Sequence, residues 1–259
     1  MKILFLISCV LLTACATGSK NPLMQDGKTA KTYLYRDVSG EFECAREVKK
    51  DKSKLATRTR LMSTGRGEKL VEKTFALSEL GSVKTGKGRV TAIRPSLAQH
   101  TVWLEGKKYF SQLKLISATK QLNVIMQSPE VKWNGQKNLS LPKGSIFCFY
   151  SQLPECLYLS GLLNKVNAQK NARTNFIVVW DSYPYHQEHF NGLSDSPFAS
   201  ARVVLEKRGK NSTQYNVELA DQVLGMHFRN NGEFLRMFWT TQGISILPPG
   251  EVEESLESL

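Results

Sequence analysis

Gln214-Tyr215-Asn216-Val217-Glu218-Leu219, Leu224-Gly225-Met226-His227-Phe228-Arg229 and Glu233-Phe234-Leu235-Arg236-Met237-Phe238-Trp239-Thr240 follow one another with only short polar breaks. In the first run apolar Tyr215, Val217 and Leu219 alternate with polar residues, the period of a half-buried strand. The third, with Phe234, Phe238 and Trp239, is dense in aromatic residues that favour a pleated surface. The breaks point the same way. Arg208-Gly209-Lys210-Asn211 precedes the first run, and Asn231-Gly232 divides the last two. Asn-Gly accepts the positive φ of a type I′ hairpin turn. Strands joined by such turns are antiparallel neighbours, so this stretch predicts a β-meander.

The pattern extends in both directions. Ala201–Arg208 and Ile244–Leu247 flank the meander. Upstream, similar runs occupy Thr32–Asp37, Glu41–Lys49, Ala56–Ser63, Arg89–Arg94, Thr101–Leu104, Tyr109–Ile116, Leu122–Gln127, Ser145–Tyr150 and Phe176–Asp181, with turn signals at Glu105-Gly106 and Asn134-Gly135. The expected fold is mainly β, an antiparallel meander forming a sandwich or a half-open barrel, with one or two short helices. Pro154 to Ala168 reads as the best helix, because Pro154 suits a first turn and Leu157, Leu159, Leu162, Leu163 and Val166 form a broad apolar face. Leu70–Leu80 fits helix or strand. The polar stretch Asn164–Thr174 reads as a domain boundary or as a crossover within one sheet. Trp103, Phe110, Trp133, Phe147, Phe149, Trp180, Phe228, Phe234, Phe238 and Trp239 are the expected core aromatics, or the lining of a cavity.

Composition narrows the class. The chain has 259 residues, 41% hydrophobic and 22% charged, which excludes a disordered, collagen-like or multi-span membrane chain. The formal net charge is +12, and its distribution is uneven. Between Cys15 and Arg94 there are 18 Lys and Arg against 9 Asp and Glu; from Pro95 onward there are 16 against 14. Lys49, Lys50, Lys52, Lys54, Arg58 and Arg60 form the densest cluster. Two readings fit it: docking on an anionic surface such as phospholipid or lipopolysaccharide, or solvated strand faces on which Lys protects exposed edges. The tail Glu251-Val252-Glu253-Glu254-Ser255-Leu256-Glu257 is acidic.

The N-terminus carries an address. Lys2 precedes Ile3–Leu12, an apolar run interrupted only by Ser8, too short to span a bilayer and built like a secretory signal. It ends in Leu12-Thr13-Ala14-Cys15, which resembles the lipobox of bacterial lipoproteins. The resemblance implies cleavage after residue 14, acylation of Cys15 and a membrane anchor of several acyl chains, since one chain alone holds only weakly. Ala16 after the anchor implies sorting to the outer membrane, facing the periplasm. Residues 15–32 then read as a tether and 33–250 as the body, with an acidic tail at 251–259. Nucleic acid is excluded as a partner for an exported, lipid-anchored chain. The succession of strands together with the anchor is similar to the half-barrel lipoprotein carriers and their outer-membrane acceptors, which implies an apolar or amphiphilic ligand.

After processing, Cys44, Cys148 and Cys156 remain. Cys148 and Cys156 bracket a short turn-like segment, and a disulfide between them is the pairing expected in an oxidising compartment. The spacing fits no zinc motif. Gly-x-Gly-x-x-Gly before a helix, Walker and Gly-x-Ser-x-Gly motifs are absent; Ser117-Ala118-Thr119-Lys120 lacks the partner motifs of penicillin-binding enzymes and reads as a plain turn. No cofactor is implied. One cluster of metal-ligating types stands out: His186, Glu188 and His189 within Tyr183–Phe190. His186 and His189 share a face only if helical, and Pro184 and Asn191-Gly192 favour a loop. His100 and His227, beside strands, read as satisfied strand or turn residues. Three functions follow: a non-enzymatic envelope lipoprotein binding an amphiphilic ligand or an assembly partner, a structural tether to an anionic envelope surface, and a hydrolase or metal-binding protein using His186, Glu188 and His189.

Overall fold

The structure, a computed structural model, describes residues 31–64, 70–85, 88–104, 106–143, 146–168, 172–190, 192–219 and 221–248. Period-2 alternation produces two sheets, including a curled half-barrel, with only a few short helices. The first sheet is an uninterrupted meander: β1 (Lys31–Arg36), β2 (Phe42–Lys50), β3 (Lys54–Ser63), β4 (Leu70–Thr85), β5 (Gly88–Leu104), β6 (Lys107–Ile116), β7 (Gln121–Gln127) and β8 (Gly135–Ser140) pair in chain order. The second holds β9 (Phe147–Phe149), β10 (Arg173–Val179), β11 (Phe198–Arg208), β12 (Ser212–Leu219), β13 (Gln222–Arg229), β14 (Phe234–Trp239) and β15 (Ile244–Ile246). All pairs are antiparallel except β9 with β10.

That parallel pair needs a crossover, and helices supply it. They are α1 (Leu153–Leu159) and α2 (Leu162–Ala168). The single helix expected over Pro154–Ala168 is thus broken in two. Gly161 adopts φ 72° at the break, donating to Tyr158, while Ser160 donates to Cys156. A left-handed glycine ends a helix because any side chain there is strained. Asn164–Ala168 belong to α2 and Arg173 and Thr174 to β10 of the second sheet; the change of sheet comes earlier, between β8 and β9.

Leu70–Leu80, open to either reading, is strand. Its hairpin partner β5 contains Pro95, and the ladder slips by one residue there, with the Ser96 hydroxyl donating to Leu77 O at 2.9 Å. A bulge is where a strand tolerates proline. The type I′ turn expected at Asn231-Gly232 is not formed. Gly232 has positive φ (84°) and Asn231 does not; Gly232 N donates to Arg229 O at 2.8 Å and Arg229 N to Glu233 O at 2.8 Å. This is a turn closed by a glycine bulge, the commoner solution once the loop has one more residue.

The two sheets share one core of buried residues that includes Leu113, Val124, Phe149, Leu157, Val203 and Trp239. Of the expected core aromatics, Phe149, Trp180, Phe228, Phe234 and Trp239 are buried. Trp103, Phe110, Trp133, Phe147 and Phe238 are half-buried. Trp103 alternates with buried Val102, so it faces outward, where the Lys73 ammonium sits 5.0 Å from its ring. The ends of the described chain are clasped: Arg36 and Leu247 exchange backbone hydrogen bonds of 2.7 and 2.9 Å. Beside them the Asp37 carboxylate accepts from Ser245 N at 2.9 Å and Ser245 Oγ at 2.8 Å. Burial opposes the Asp37 charge, but the hydrogen bonds from Ser39 and Ser245 prevail and hold its carboxyl below the usual range.

Candidate functional site between the sheets

Where the sheets diverge they leave a cavity of about 290 Å³. Its apolar wall comes from both: Tyr35, Cys44 and Leu61 of the first sheet face Met226, Phe234 and Met237 of the second. Trp239 continues this wall, stacked on Trp180 at 5.9 Å and tilted against Phe190 at 4.8 Å.

The remaining wall is polar and buried. Arg46, inward-facing on β2, reaches Glu155 of α1 with both terminal nitrogens, one at 2.8 Å, and also donates to Ser151 O at 3.0 Å. Burial works against the guanidinium charge, and the Glu155 carboxylate more than offsets it. Asp181 accepts from the Ser151 amide at 3.0 Å and from its hydroxyl. Burial nevertheless raises the Asp181 carboxyl above its ordinary range. Cys44 is a free buried thiol, pushed up to about 11 by desolvation and therefore protonated and unreactive at neutral pH.

Of the expected histidine cluster, Glu188 does not join His186. Tyr185–His189 forms α3, a short helical turn, but Glu188 points outward to the Lys132 ammonium at 3.3 Å while His186 is buried. The His189 side chain lies outside the described residues, as do Cys15 and the acidic tail. His186 instead meets Glu72 of β4, Nε2 to Oε2 at 3.7 Å, and His100 of β5, ring centroids 5.7 Å apart. One ligand atom from each of Glu72, His100 and His186 lies within 4.8 Å of the others. His100 is not a satisfied strand residue. Its Nδ1 is 2.8 Å from Thr74 Oγ1, but its Nε2 is buried without a partner. Burial lowers His100 to about 4, so its imidazole is neutral at neutral pH. The register of one hairpin, Thr74 opposite His100, places Glu72 and His100 diagonally on one face.

Cys148 and Cys156 are joined by a disulfide that ties β9 to α1. The basic residues divide. Lys50, Lys52, Arg58 and Arg60 are exposed on the β2–β3 hairpin, Lys54 is half-buried and Lys49 is buried. Glu47 lies directly opposite Arg58 in the ladder.

Among known proteins, no family model, no curated protein and no solved structure matches the chain.

Proposed function

We propose that the chain is a lipid-anchored envelope protein whose body binds an amphiphilic ligand, without catalysis, in the cavity between its sheets. The observation that carries this reading is the cavity itself: about 290 Å³, with apolar side chains from both sheets and a polar wall that includes Arg46, Glu72 and Asp181. That size and mixture suit an acyl-chain-sized molecule, whose apolar part is removed from water while its polar end stays solvated or hydrogen-bonded. A purely structural tether has no use for such a space. Leu61→Trp, which fills the cavity from β3, is expected to weaken binding of a fluorescent fatty acid by about tenfold or more, the loss of roughly 1.4 kcal/mol of contact, while the melting temperature stays within a few degrees. Equal binding by parent and variant, or none by the parent, overturns the reading.

The proposed address rests on Ile3–Leu12 and Leu12-Thr13-Ala14-Cys15. The Cys148–Cys156 disulfide supports it, because such bonds persist in exported proteins. Cys15→Ser is expected to move the protein from the membrane to the soluble envelope fraction or to block its processing; unchanged fractionation and gel mobility end the lipoprotein reading. We further propose that Lys50, Lys52, Arg58 and Arg60 rest on the anionic surface beneath the anchor, phospholipid or lipopolysaccharide. In the released Cys15→Ser protein, binding to phosphatidylglycerol vesicles at low salt should fall when these four are reversed to Glu, each contributing up to about 1 kcal/mol. If it does not fall, they serve solubility alone.

A further inference from the structure

Glu72, His100 and His186 come from two adjacent strands and from the turn after β10, yet their ligand atoms converge within 4.8 Å. His100 is 2% exposed and His186 7% exposed; His100 Nε2 is buried with no hydrogen-bond partner, and His186 turns its Nε2 toward Glu72 Oε2 at 3.7 Å. Leaving the His100 nitrogen unpaired beside a carboxylate costs about 1–3 kcal/mol, which a cation bound there offsets. We propose that Glu72, His100 and His186 hold a divalent transition-metal ion, zinc by the chemistry of the donor set, in a three-ligand site that opens on the cavity.

The geometry fits this ion. Two imidazoles and one carboxylate form a recurrent zinc ligand set with one position left for water or a bound molecule. At zinc–ligand distances of about 2.0–2.1 Å, tetrahedral ligand atoms lie roughly 3.3 Å apart. The His186–Glu72 contact of 3.7 Å is already close to that spacing, and side-chain rotation closes the rest. Thr74 is placed for the supporting role: its Oγ1, 2.8 Å from His100 Nδ1, can accept the Nδ1–H and so leave the Nε2 lone pair for the metal. Glu72 and His186 also line the large cavity, so the open position faces it. The site stands independently of the acyl ligand proposed above, since either can be occupied alone.

The test uses the untagged full chain in detergent, stripped with chelator and titrated calorimetrically with zinc chloride. One equivalent is expected to bind at about micromolar affinity or tighter, with a rise in melting temperature, and cobalt(II) loading should give the visible bands of a four-coordinate ion. Glu72→Gln, His100→Gln and His186→Gln should each weaken binding about a hundredfold or more; His189→Gln and His227→Gln should not. Absence of stoichiometric binding by the parent overturns the site, leaving a polar pocket that holds water only. So does binding that survives all three ligand substitutions. Should those variants fail to fold, the parent's stoichiometry and cobalt spectrum decide.

Discussion

Arg46→Ala is expected to lower the stability of the body by about 3–5 kcal/mol. The guanidinium is buried between a strand of the first sheet and the helix that opens the crossover of the second, its side chain 8% exposed and that of Glu155 17%. Truncation leaves the Glu155 carboxylate and the Ser151 carbonyl in a low-dielectric space with nothing to offset their desolvation. The loss is therefore the cost of an orphaned charge, larger than the pair's net worth. Chemical denaturation measures it, and the double variant Arg46→Met, Glu155→Leu should recover most of the loss, because an apolar pair of similar volume needs no partner. A single-variant cost below about 1 kcal/mol would place the pair with ordinary surface ion pairs and remove its role as a tie between strand and helix.

Gln152→Leu is expected to cost about 2–4 kcal/mol, the sum of hydrogen bonds broken at a fully buried site. Gln152 is fully buried. Its amide nitrogen donates to Ala76 O at 2.9 Å and Leu55 O at 3.2 Å, and its oxygen accepts from Ser78 Oγ at 2.5 Å. Leucine fills the same space, so an effect of this size reports unpaired polar atoms and not a cavity. Adding Ser78→Ala to Gln152→Leu should cost less than the separate losses combined, since the hydroxyl left stranded is then removed. Strict additivity in urea melts would show that the hydroxyl and the amide act independently.

Most of the fold was legible because it is written locally. Alternation along Gln214–Leu219 and the glycine-bearing turns identify strands and antiparallel neighbours without knowledge of the rest. What was illegible depends on distant partners. β8, Gly135–Ser140, has few strand-favouring residues and is an exposed edge held by β7 alone. Leu70–Leu80 carries an ambiguous period, and pairing with β3 on one side and β5 on the other settles it. The candidate site divides the same way. In sequence His186 stands beside Glu188, which in the structure turns away from it to Lys132. Its companions Glu72 and His100 lie far off along the chain. A signal existed for that pair. The ladder sets Thr85 opposite Gly88, and the one-residue slip that Pro95 invites then sets Thr74 opposite His100. Register arithmetic could thus have put Glu72 beside His100, but nothing local could have brought His186 to them.

The clasp between Arg36 and Leu247 sets an order of assembly. In the first sheet every strand pairs with its neighbour in sequence, so each hairpin closes over a short loop soon after its second strand exists. The bonds from Ser245 to Asp37 join residues 208 positions apart, and they form only when nearly the whole chain is present. Non-local closure of this kind is slow relative to hairpin formation. Because Ile244 and Ile246 belong to the cavity wall, the wall is incomplete until that late step. The molecule gains its secondary structure early and its interior last. While the chain is still emerging, the apolar strand faces that will enclose the cavity are open on one side, and it is in that interval, before the final strand seats, that the protein is most exposed to aggregation.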